Sequence, residues 1–105
     1  MWPTMPRDLM ETMMGKTFNP EGLDAKTRLL LTLGALTILG AQAEAQIRLT
    51  VRHALEAGAT KQEIAETIAM MGVFGGVPAM SKAMELASEV MEASEPKRDA
   101  EEDTE

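Results

Sequence analysis

Asp24-Ala-Lys-Thr-Arg-Leu-Leu-Leu-Thr-Leu-Gly-Ala-Leu-Thr-Ile-Leu-Gly40 is the stretch that decides the fold. Asp24 is an N-cap residue and Gly40 a C-terminal stop, so the segment reads as one helix. Beyond Arg28 its apolar residues cover nearly the whole circumference. A helix apolar all round must be buried on all sides. A chain of 105 residues has too little core to do that alone. The segment therefore predicts an all-α protomer that meets a neighbouring subunit.

Working outward, Pro6 to Met14 reads as a short helix with Pro6 in its first turn and Gly15 as terminator, and Asn19-Pro-Glu-Gly22 as a turn. Downstream, a third helix is predicted from about Gln42 to Ala57, closed by Gly58. Its apolar stripe is Ile47, Val51, Ala54 and Leu55. Glu44, Arg48, Arg52 and Glu56 step along a second face, with oppositely charged end pairs. Gln46, Thr50 and His53 share a third. Thr60-Lys-Gln-Glu63 is a capping box that opens a fourth helix. Ile64, Ile68 and Met71 mark its buried side, and Gly72, Gly75 and Gly76 end it. A fifth helix begins at Val77-Pro78, with Met80, Met84, Ala87 and Met91 as its stripe and Pro96 as its end. No segment alternates like a strand, and no repeat is present. Residues 1–21 thus form an N-terminal segment, 22–94 the domain, and 95–105 a disordered acidic tail.

Composition excludes several functions. There is no cysteine, hence no disulfide, thiolate metal site or thiol nucleophile. The net charge is −7; in residues 95–105 six acids against Lys97 and Arg98 give −4, leaving −3 for the rest. No basic stripe exists for phosphate contacts, so no nucleic-acid partner is expected. The longest apolar run, Leu29 to Ala41, is short of the ~20 residues of a membrane span. A cytoplasmic location without membrane attachment is the expectation. One histidine without cysteine is a poor ligand set, and Met10, Met13 and Met14 at helical spacing read as core filler rather than a soft-metal site. No metal or cofactor is expected. Gly75-Gly-Val-Pro78 lacks the Lys-Ser/Thr of a phosphate loop.

Four segments in order carry a resemblance: Gly22-Leu-Asp-Ala-Lys-Thr-Arg28, Arg48-Leu-Thr-Val-Arg-His-Ala-Leu-Glu-Ala-Gly58, Ala59-Thr-Lys-Gln-Glu-Ile-Ala-Glu66 and Gly75-Gly-Val-Pro-Ala79. Together they resemble the carboxymuconolactone decarboxylase family, whose fold is shared with alkylhydroperoxidase D. Leu-Thr-Leu-Gly-Ala-Leu-Thr37 and Gly-Val-Pro-Ala79 look most like the gamma-carboxymuconolactone decarboxylase subgroup. The resemblance implies small helical protomers in homo-oligomers, commonly trimers or hexamers, and a cofactor-free lyase acting on a carboxylated lactone from aromatic-compound breakdown.

The family's reactive residues are replaced. The two cysteines and histidine of the peroxidase branch fall at Ala43, Gln46 and Thr50, and its relay glutamate at Leu29. Thiol peroxidase chemistry is therefore disfavoured. The decarboxylase branch has Glu and His at the positions of Gln46 and Thr50; Arg48 matches that branch. His53 lies one turn beyond Thr50 and is the residue able to replace the missing histidine. The resulting expectation is that Arg48 binds a carboxylate, His53 returns a proton, and Gln46 with Thr50 orient the substrate. The plain alternatives are a surface histidine and a Glu44–Arg48, Arg52–Glu56 ladder. In that case the chain is a degenerate member serving as an oligomeric scaffold or small-ligand binder.

Overall fold

The computed structural model describes residues 6–14 and 21–94, with five helices and no strand among them. These are α1 (Arg7–Met14), α2 (Ala25–Ile38), α3 (Glu44–Glu56), α4 (Lys61–Gly75) and α5 (Val77–Ala93). The expected terminator Gly15, the stop at Pro96 and the acidic tail lie outside the described residues, as do the side chains of Met13 and Met14.

Each boundary has a local cause. The Asp24 carboxylate accepts from the Thr27 amide at 2.9 Å. The α2 and α3 ends are both Schellman turns. Ala41 N–H donates to Leu36 O and Gly40 N–H to Thr37 O; Ala59 N–H donates to Ala54 O and Gly58 N–H to Leu55 O. Gly40 and Gly58 supply the required positive φ, at +100° and +107°. The Thr60–Glu63 capping box is complete, with 3.0 Å and 2.9 Å bonds in the two directions. Glu63 also holds Lys26 of α2 at 3.2 Å. Thr60 N–H, then Lys26, keeps the Glu63 carboxyl below its ordinary 4.5.

Ile47, Val51, Ile64, Ile68, Leu33 and Val90 are fully buried and form the centre of one core, with Met10 of α1 inserted into it. Three predictions shift. Gly72 does not end α4; the helix runs to Gly75, and Met80 packs where a Gly72 side chain would lie, its sulfur 2.6 Å from that position. The buried face of α5 is Ala79, Ala83, Leu86, Ala87 and Val90, and Met80, Met84 and Met91 flank it half-buried. The small alanines let α5 approach closely, and the long methionines fill the margins. Thr50 belongs to the buried side of α3.

Candidate functional site

α3 carries the residues singled out by the sequence, and its two sides differ. Arg48 and Arg52 face α5. Arg48 Nε donates to Glu89 at 3.0 Å, while its Nη2 is 3.8 Å from Glu44. Glu44 is held more tightly by Lys82, at 3.0 Å. The hydrogen bond from Lys82, then its charge and that of Arg48, keeps the Glu44 carboxyl below its ordinary 4.5. Arg52 donates to Ser94 Oγ at 3.0 Å. The chain Lys82–Glu44–Arg48–Glu89 thus alternates in sign across the α3–α5 seam. Sequence reasoning paired Arg48 with Glu44 and missed Glu89 and Lys82. Their signal was their spacing of seven, two turns on one face of α5.

On the other side, Gln46 is exposed, His53 half-buried and Thr50 only 8% exposed. In order along α3, Gln46, Thr50 and His53 are thus exposed, buried and half-buried. The Thr50 hydroxyl behaves unlike its counterparts. Thr32, Thr37 and Thr67 each donate to the carbonyl four residues back, at 2.8–2.9 Å. Thr50 and His53 make no side-chain hydrogen bond or ion pair among the described residues. Buried hydroxyls are normally satisfied, which sets this one apart from the other threonines of the bundle. Arg48 is two residues from Thr50, about 200° round the helix, and is not brought to that edge.

A separate trough lies between α2 and α4, about 390 Å³, with Thr27 and Thr67 at one end and Leu31, Ile38, Met70 and Met71 along it. None of Gln46, Arg48, Thr50 or His53 lines it. Gly75 lies close to Ile38, one of the lining residues: a side chain at Gly75 would stand 3.0 Å from the Ile38 backbone. The glycine bend therefore approaches α2. Among the described residues no three His, Cys, Asp or Glu side chains gather as a metal group, and no helix is long and apolar enough to cross a membrane.

An all-α bundle with polar residues set on its third helix is the class these features define. The carboxymuconolactone decarboxylase family model matches residues 3–89, and the chain belongs to that family. An uncharacterized 15.0 kDa protein from the nqo9–nqo10 intergenic region of Paracoccus denitrificans is 67% identical over 88 residues, 84% of this chain and 66% of its own length. The 4-carboxymuconolactone decarboxylase of Acinetobacter baylyi is 36% identical over 76 residues, 72% of this chain and 55% of that protein. Nitrosuccinic acid decarboxylase npaB of Metarhizium robertsii is 37% identical over 76 residues, 72% of this chain and 52% of its own. The chain thus spans between half and two thirds of the length of these relatives.

Proposed function

We propose that this chain is a cofactor-independent carboxy-lyase for a small acid whose departing carboxylate leaves its electron pair beside a carbonyl or nitro group. Two relatives named as decarboxylases of different acids support the reaction class. The observation that carries the site is the buried, unpartnered Thr50 hydroxyl with the half-buried, unpartnered His53 one turn away.

In this reaction the carbon–carboxyl bond breaks and CO₂ leaves. The bonding electrons pass into the neighbouring unsaturated group as an enolate-type anion. Thr50 and Gln46 orient the substrate by hydrogen bonds, and Thr50 donates to the oxygen on which charge develops. His53, entering protonated, gives its proton to the carbanionic carbon. Imidazole suits the task because its charge changes near neutral pH. Glu89 holds the Arg48 Nε, so a carboxylate bound through that nitrogen must displace Glu89. Carbon dioxide release from 4-carboxymuconolactone and from nitrosuccinic acid tests the reading. Wild type should release it from at least one, and Thr50→Val should slow that release with helicity unchanged.

Gln46 and Thr50, standing where the decarboxylase branch carries Glu and His, favour a second reading. In it the chain is a non-catalytic binder or scaffold. Binding of these acids without release of CO₂ is its signature.

A further inference from the structure

α2 and α4 run parallel in a constant register. Lys26 meets Glu63, Met71 lies against Gly34 and Gly75 against Ile38, each pair 37 residues apart. That register sets Thr67 level with Leu30, one turn along the trough from Thr27. The two threonines therefore stand about 4.5 Å apart along the helix axis, and the apolar trough runs on along α2 to Ile38, roughly 16 Å from Thr27. Their hydroxyls are not equivalent. Thr67 donates its proton to Glu63 O at 2.8 Å, so its oxygen is left to accept. The carbonyl four residues before Thr27, Leu23 O, accepts from Arg28 Nε instead. The Thr27 hydroxyl has no partner among the described residues and can both donate and accept.

We infer that the trough is a binding site for an uncharged alcohol with an extended apolar body, its hydroxyl held between Thr27 and Thr67. The inference does not depend on the lyase reading, since none of Gln46, Thr50 and His53 lines the trough. Three features select this class of ligand. The volume of about 390 Å³ falls within the roughly 300–1,000 Å³ of small-molecule sites, and no lining residue is charged. Met70 and Met71 supply unbranched, adaptable side chains that can close on an alkyl body. The decisive feature is the pair of hydroxyls. The Thr67 oxygen needs a donor and the Thr27 hydroxyl suits either partner, so one alcohol group satisfies both by donating to the first and accepting from the second. A carboxylate only accepts and leaves the Thr67 oxygen facing its negative charge. It would also meet the Glu63 carboxylate, which already holds Lys26 at that end.

Titration of the full chain with n-octanol and with octanoate, followed by the methionine methyl resonances, tests this. Wild type should bind octanol about tenfold or more tightly than octanoate, because the wrong head group leaves polar atoms unpaired. The Met70 and Met71 signals should shift, and that of Met10, buried in the core, should not. Thr27→Val keeps the shape of the trough, removes the free hydroxyl and should weaken octanol binding about tenfold. Ala35→Phe, at an exposed lining position, fills the trough and should abolish uptake with the helical circular dichroism intact. No octanol uptake by wild type, in whatever oligomeric state it adopts, would overturn the inference. So would octanoate bound as tightly as octanol, or either variant binding octanol with wild-type affinity.

Discussion

The α3–α5 seam and the α2–α4 seam are built on opposite principles. Between α3 and α5, polar side chains meet at the rim: the ion pairs Arg48 with Glu89 and Lys82 with Glu44, and the hydrogen bond from Arg52 to Ser94. This seam is finished, because its polar ends face water. Between α2 and α4, beyond the Lys26–Glu63 pair at one end, close approach replaces polar contact. Gly75 lies against the Ile38 backbone and Gly34 against Met71, and the outer side is apolar and uncharged. The difference assigns separate duties within one small bundle. One side of the molecule displays paired polar residues; the other exposes apolar side chains such as Leu31, Val73 and Phe74.

The largest effect expected from breaking this arrangement lies where both seams meet the core. Ile68→Ala removes a fully buried side chain and should cost about 2–5 kcal/mol of unfolding free energy in a denaturant titration. Gly75→Ala tests the apolar seam alone. Its new methyl meets the Ile38 backbone, which cannot rotate away, and should cost about 1–3 kcal/mol. Thr60→Ala removes the hydroxyl that accepts from Glu63 N–H and should cost about 1 kcal/mol.

The polar seam should matter less to stability. Glu89→Gln weakens the Arg48 pair, half exposed on its acidic side, and should cost about 0.2–1 kcal/mol. Acid acts on the same contacts. The Glu44 and Glu63 carboxyls are held below 4.5 in the folded chain, so folding favours their ionised forms. Their contribution is fully present above that value and is lost as pH falls through the lower folded values. The melting temperature should hold between neutrality and about pH 5, then fall below about 4.5. Glu63→Gln should flatten that fall.

The helix starts and stops were legible because their causes are local. Asp24, Thr60 with Glu63, Pro78, Gly40 and Gly58 each act within a turn of where they stand. The start of α3 was less so. It begins at Glu44, because Ala41 takes a positive φ of 56° in completing the α2 turn, which no residue type announces. The burial of Thr50 and the alanine face of α5 were not legible either. Periodicity groups residues on a stripe, but the crossing of helices decides which edge of the stripe meets the core. Nor could the sequence choose between Glu44 and Glu89 for Arg48, since Glu89 lies 41 residues away. Of the site, the grouping of Gln46, Thr50 and His53 on one side was readable from spacing. The unpartnered state of the Thr50 hydroxyl was visible only once its neighbours were in place.

The central claim is that the polar edge of α3 performs proton return during loss of CO₂, with His53 as the acid. The direct measurement is the rate of CO₂ release by wild type and His53→Ala, on whichever of the two acids wild type decarboxylates. The account predicts a fall of roughly 10²–10⁴-fold, as for a lost general acid, with helicity and sedimenting mass unchanged. A His53→Ala rate equal to that of wild type would contradict it.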